Sequence, residues 1–123
     1  MNLLDLEPKY ADYQIAMRRL FHTCPEASTK EFQTAKLIRA ELDKMGIPWR
    51  ECGMPTGTLA TIKGARPGRT ILLRGDIDGL EVTEKTGLEY ASKNEGFMHA
   101  CGHDCHISML LTAGKILNDL RDR

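Results

Sequence analysis

Six consecutive residues, HACGHD from His99 to Asp104, place two histidines, a cysteine and an aspartate around one glycine. Thiolate and imidazole are good donors for first-row metals, zinc above all. In an extended segment Cys101 and His103, two residues apart, project to one side and can meet one ion or two adjacent ones. Gly102 leaves no side chain between them. Asp104 then stands just before a helix as its cap, and His106 falls on that helix's first turn as a ligand or as a support for one. His99 is read as a packed or surface histidine and His22 as a helix-end residue. A structural zinc finger is disfavoured, because it needs two closely spaced ligand pairs and the sequence has no second pair.

Asp76 and Asp78 form the other feature with chemical potential. Alone, two carboxylates after an apolar run describe a solvated turn. Beside a Cys-x-His cluster they gain a use, since a carboxylate can accept the second N–H of a metal-bound histidine and fix its ring. Both follow Ile71-Leu72-Leu73, an unalternating run that suits a strand covered on both faces. The C-terminal ends of such strands are where open α/β sheets place their sites.

These groups need elements to hold them. Apolar residues at Tyr10, Tyr13, Met17, Leu20 and Phe21 share one face of a first helix, which must stop before Thr23-Cys24-Pro25. Ser28-Thr29-Lys30-Glu31 reads as a capping box opening a second helix of about 17 residues, with Ala35, Ile38, Leu42 and Met45 as its stripe and Gly46 as its stop. Trp49–Cys52, Thr58–Lys63 and Thr70–Arg74 read as strands, and the turn-rich GARPG predicts a hairpin between the last two. From Glu81 to Phe97 the chain is polar and punctuated by glycine, a functional loop in a compact domain. Leu110, Ala113, Gly114, Leu117 and Leu120 predict a third helix from Ser108 onward.

The 123 residues suit one domain, and the elements predict the α/β class, as part of a three-layer α/β/α arrangement with a mixed sheet. Lysine plus arginine and aspartate plus glutamate both number 17, so no net charge points to nucleic acid or an anionic membrane. No run approaches the roughly 20 apolar residues of a membrane span, and MNLLDLEPKYADY is acidic where a secretory signal is basic. The chain is therefore expected to be soluble and cytoplasmic. Cys24, Cys52, Cys101 and Cys105 are sparse and irregular, which favours reduced thiols over a disulfide framework. Cys24 and Cys52 are read as small buried hydrophobes. The spacing of Cys101 and Cys105 is not that of a Cys-x-x-Cys redox motif.

The stretch LLRGDIDGLEVTEKTGLEYASKNEGFMHACGHDCHISMLL resembles the signature of the co-catalytic metalloamidohydrolases, in the branch of hippurate hydrolases, aminoacylases and auxin-conjugate hydrolases. MRRLFHTCPEASTKEFQTAKLIRAELDKMGI and TGTLATIKGARPGRT also look like that branch. The resemblance implies a zinc-peptidase-like domain and two divalent ions, zinc or manganese, acting on N-acyl amino acids. It makes Cys101 the ligand shared by the two ions, His103 a ligand of one, and Asp78 the catalytic aspartate that orients the metal site. Asp76 stands where other branches carry a metal-binding histidine. Glu81 replaces a usual proline and Cys105 a small residue.

The resemblance also implies a paired-glutamate motif carrying the general base, two further metal-binding histidines and a lid or dimerisation domain. None of these is found in the 123 residues, which contain no Glu-Glu pair. Residues 1–123 are accordingly expected to be the N-terminal part of a catalytic domain, completed by the remainder of a parent enzyme or by a partner. The alternative is a truncated, non-catalytic fragment or binding module that forms homo-oligomers through uncovered apolar surface.

Overall fold

A computed structural model describes residues 2–123. A 3-10 turn at Leu3–Asp5 leads into α1, Glu7–His22. Pro8 sits in the first turn of α1, where its missing N–H removes no helical bond, and Thr23 closes the helix just before Cys24-Pro25 as expected. Tyr10 and Phe21 lie on its buried face.

The second helix, α2, begins later than its capping box suggested and spans Phe32–Lys44, 13 residues. Thr29 takes a positive φ of 69°, and the Glu31 carboxylate accepts the Thr29 N–H at 2.9 Å, so the chain turns once more before the helix starts. The cap comes from Glu26. Its carboxylate accepts the backbone N–H groups of Gln33 at 3.1 Å and Thr34 at 2.6 Å, and the Thr34 hydroxyl at 2.6 Å. A carboxylate has more acceptor sites than a serine hydroxyl, and its charge complements the helix dipole. Gly46 ends the helix at a φ of 68°, as expected.

Trp49–Cys52 (β1) and Met54–Ala60 (β2) form an antiparallel hairpin, with Trp49 opposite Ala60 and a bulge between Glu51 and Cys52. The hairpin therefore closes through Gly53, at a φ of 74°, and not through GARPG. A tight glycine turn joins neighbours at little loop-closure cost. Arg39 fastens α2 to this hairpin, donating to the carbonyls of Pro55 at 2.7 Å and Gly57 at 3.2 Å and to the Thr58 hydroxyl at 3.1 Å, and lying over the Trp49 ring.

Among the described residues the sheet is this two-stranded hairpin. The α/β class of a partial domain holds, but the mixed sheet and the strand at Thr70–Arg74 are corrected. Ile71, Leu72 and Leu73 lie 83%, 74% and 55% exposed and pair with no strand. An apolar run makes a ladder only when neighbouring strands accept its backbone groups.

The third helix, α3, spans His103–Asp119, starting five residues before Ser108. It packs mainly on α1, and Phe21, Leu42, Ile47, Ile107 and Leu111 form the core that the three helices and Ile47 share. Two glycines let the segment between Gly75 and Gly79 slide into place. A Cβ on Gly79 would lie 2.6 Å from the Pro25 Cβ, and one on Gly75 would lie 2.7 Å from the Leu110 Cδ1 and 3.3 Å from the His106 Cβ. The Gly79 N–H also donates to the Glu26 carbonyl at 2.7 Å. This close approach carries Asp76 and Asp78 to the N-terminal end of α3. No helix among the described residues is long and apolar enough to cross a membrane.

Candidate metal centre

Gly102, at a φ of 82°, breaks the extended path expected for HACGHD, so His103 is the first residue of α3 and Cys101 lies outside it. The two-residue alternation of a strand no longer relates them. Cys101 is exposed, and it is not among the metal-ligating side chains that the described residues bring together. His103 and His106 instead share a helical face, three residues apart. Their rings stack with centroids 5.1 Å apart.

His103 is held from one side by Asp78. Its Nδ1 lies 2.9 Å from both the Asp78 carboxylate and the Asp78 carbonyl oxygen. Both oxygens are acceptors, so Nδ1 carries the proton and donates, leaving the Nε2 lone pair available. That Nε2 lies 3.8 Å from a carboxylate oxygen of Asp76. The other Asp76 oxygen takes a 2.6 Å ion pair from Arg74, whose side chain is largely solvated. Asp76, His103 and His106 thus each offer one ligand atom, all within 4.8 Å of one another. The buried Nδ1 of His106 has no hydrogen-bond partner.

Asp104 was expected to cap α3 from outside. It lies within the first turn, fully buried, and works chiefly inward. Its carboxylate meets the His22 Nδ1 at 2.7 Å and the Arg18 Nε at 2.9 Å, and also accepts the Cys105 N–H at 3.0 Å. His22, read as a helix-end residue, is the buried centre of this network: its Nε2 contacts Glu84 at 2.5 Å. Burial alone would raise the Glu84 carboxyl, but the Ser92 N–H and His22 outweigh it and hold it below the usual carboxylate range. The network joins α1, α3 and the 81–97 loop, and partners 62 and 82 residues apart leave no periodic signal in the sequence.

His99 is packed, as expected, with neither ring nitrogen hydrogen-bonded; burial, the largest influence, lowers its pKa and favours the neutral ring. Cys24 is half-buried and Cys52 exposed, so neither is the buried hydrophobe that was expected. Cys52 occupies the hairpin rim, beside the bulge, where no core reaches it.

Chemically, the centre is a borderline-soft donor set, two imidazoles and a carboxylate, with one imidazole held by a second carboxylate. That suits zinc-type ions better than magnesium or calcium, which prefer oxygen alone.

Residues 72–123 match the family described as peptidase family M20/M25/M40. The chain is 46% identical over 112 residues to thermostable carboxypeptidase 1 of Saccharolobus solfataricus, covering 90% of this chain and 28% of that protein. It is 44% identical over 110 residues to an N-acyl-L-amino acid amidohydrolase of Geobacillus stearothermophilus, covering 88% and 29%. A solved Bacillus subtilis protein, described as a dinuclear metal-binding peptidase of the M20 family, superposes with a TM-score of 0.86 at 38% identity, covering 93% of this chain and 32% of that one. The chain spans less than a third of the length of each of these relatives.

Proposed function

Because the chain belongs to peptidase family M20/M25/M40, we propose that it supplies part of a two-metal site that hydrolyses the amide bond of N-acyl amino acids. The observation that carries this reading is the Asp78–His103 contact: a carboxylate fixes one ring nitrogen and leaves the other free for a metal. Cys101 would serve as the ligand shared by the ions and His103 as a ligand of one. Those residues would hold zinc or manganese, which would supply Lewis-acid polarisation and an acidified water for attack on the amide.

The chain's own residues do three things toward that chemistry. Asp78 sets the His103 tautomer and ring direction. Gly75 and Gly79 bring the Asp76–Asp78 segment against α3. The Asp104 network holds the first turn of α3 to α1. Taking the proton from the water and returning it to the leaving amine needs a positioned base, which we assign to a segment beyond these residues, in a longer parent or a partner chain. The sparse cysteines favour a reducing cytoplasm as the place of action.

The test is a chimera in which this chain replaces the matching segment of the Geobacillus stearothermophilus amidohydrolase. We expect hydrolysis of an N-acetyl amino acid with zinc or manganese present, and its loss in His103→Gln. A folded, metal-loaded chimera without turnover overturns the reading. One observation favours a second reading, a non-catalytic module that self-associates: the exposed Ile71-Leu72-Leu73 run. Sedimentation as a strict monomer at high concentration would remove it.

A further inference from the structure

The buried network around His22 lies between the metal centre and the 81–97 loop, and so far its one task is to hold a helix turn. We propose that Glu84 is a positioning residue for that centre: acting through His22 and Asp104, it sets the turn that carries His103 and makes loop closure and metal binding depend on each other. The inference rests on the reading of His103 as a metal ligand and adds a distant residue and a loop to what governs it.

Three observations carry it. The first is an unbroken chain of contacts. Glu84 Oε1 meets the His22 Nε2 at 2.5 Å, the His22 Nδ1 meets Asp104 at 2.7 Å, and Asp104 adjoins His103 in the first turn of α3. The Glu84 and His22 side chains are each 3% exposed and that of Asp104 is fully buried, so solvent screens these contacts little. Two carboxylates thus face one imidazole, and Arg18, 2.9 Å from Asp104, supplies further positive charge. Buried charges persist where they are paired, so withdrawing Glu84 unbalances the partners it leaves behind.

The second is that the same carboxylate fastens the loop. Its other oxygen accepts the Ser92 N–H at 2.9 Å, which draws the two limbs of the loop together. Around it Tyr90 lies against Arg18 and Arg19, at 5.3 and 5.0 Å from the ring centroid. The Lys93 N–H donates to the Thr23 carbonyl and the Asn94 side chain to the Pro25 carbonyl, both at 2.8 Å. Val82 and Leu88 stay exposed, so closure depends on a few polar contacts, as in segments of low local stability. The third is where the loop ends. Leu80 and Met98 exchange backbone hydrogen bonds at 2.9 and 3.0 Å, and this bridge holds the segment after Asp78 beside the one before Cys101. The loop therefore reaches the centre by two routes, through the bridge to Asp78 and Cys101 and through Glu84, His22 and Asp104 to His103.

Such coupling is reciprocal: the factor that loop closure adds to zinc affinity is the factor that zinc adds to loop closure. The experiment pairs zinc binding to the 123-residue chain, read by competition with a chromophoric chelator, with hydrogen exchange of the Ser92 amide. Glu84→Gln should stay folded by circular dichroism and bind zinc about tenfold more weakly, the low end for groups that orient metal ligands. In the unsubstituted chain, zinc should slow Ser92 exchange by a similar factor, about tenfold. Arg39→Lys, which loosens α2 from the hairpin and touches none of these groups, should lower stability and leave zinc affinity unchanged. Equal affinity in the unsubstituted chain and Glu84→Gln overturns the proposal. An equal loss in Arg39→Lys does so too, as does Ser92 exchange indifferent to zinc, a measurement that needs no variant to fold. Zinc uptake absent from the unsubstituted chain, or undiminished in His103→Gln, refutes the reading of His103 itself and the proposal with it.

Discussion

Asp104→Ala offers the sharpest test of how the candidate centre is held. The Asp104 carboxylate is fully buried and faces Arg18, His22 and the Cys105 N–H at 2.9, 2.7 and 3.0 Å. Truncation strips the His22 Nδ1, in a ring only 3% exposed, of its acceptor and the Arg18 guanidinium of its carboxylate, while the His22 Nε2 keeps Glu84. Stripping one partner from a buried pair costs about 3–5 kcal/mol, a large share of the about 5–15 kcal/mol that a domain commands. The ion pair of Asp76 with the solvated Arg74 is a different case: such pairs contribute at most about 1 kcal/mol. With a urea dependence of about 1–3 kcal/mol per molar, Asp104→Ala should lower the unfolding midpoint by about 2 M and Asp76→Ala by no more than about 0.5 M. Asp104→Asn, which keeps the shape and an acceptor, should fall between them. The assay is urea unfolding followed by circular dichroism at neutral pH with a chelator present. Equal shifts for Asp104→Ala and Asp76→Ala would refute the claim that burial, and not the count of charged contacts, sets the energetics here.

Gly79→Ala should cost about 1–3 kcal/mol, because its Cβ meets the Cβ of Pro25 at 2.6 Å and a proline ring cannot swing away; Gly68→Ala, in open space, serves as the control, and equal midpoints for the two would sink the packing argument. Glu84 sits below the usual carboxylate range, so the stability it contributes is present above its unfolded pKa of about 4.3 and disappears as pH falls through its lower folded value. In Glu84→Gln the acid limb of the stability curve should therefore be flatter, and parallel curves for parent and variant between about pH 5 and pH 3 would show that the contact carries no linkage. Arg39→Lys keeps the charge but not the planar fork that reaches two carbonyls, a hydroxyl and an indole face; a loss of about 1–2 kcal/mol is expected in thermal unfolding, and an unchanged midpoint would count against the fork as the fastener.

What the sequence revealed, and what it hid, follows from the range of the interactions concerned. The end of α1 before Cys24-Pro25 and the stop at Gly46 were legible because a proline and a left-handed glycine act on their immediate neighbours. The start of α2 was not, because the group that caps it, Glu26, reaches forward eight residues to Thr34 and outcompetes the local Ser28. The 70–74 strand was misread for a related reason: apolar composition shows that a segment wants partners, not that the partners are present. Residue type suggested that an aspartate of the Asp76–Asp78 pair could hold a histidine of the cluster, and the resemblance singled out Asp78; the 2.9 Å contact with His103 joins groups 25 residues apart. The His22 network left no trace, since a histidine at a helix end three residues before a proline is locally unremarkable and its carboxylates lie far along the chain.

The start of α3 decides which residues can cooperate at the centre. A helix beginning at Ser108 would leave His103 and His106 in an irregular segment, with Cys101 as the natural companion of His103. A helix beginning at His103 puts residues 103 and 106 on one face and turns Asp104, with Ile107, Ser108 and Leu111, toward the interior. The same few residues therefore separate by helical phase into two tasks: the outward pair presents nitrogen donors to Asp76, and the inward carboxylate anchors the turn through Arg18 and His22. Gly102 is the switch between the two geometries, because its φ of 82° is reached at little cost by glycine. With a side chain at 102, the strain of that conformation would favour a later helix start.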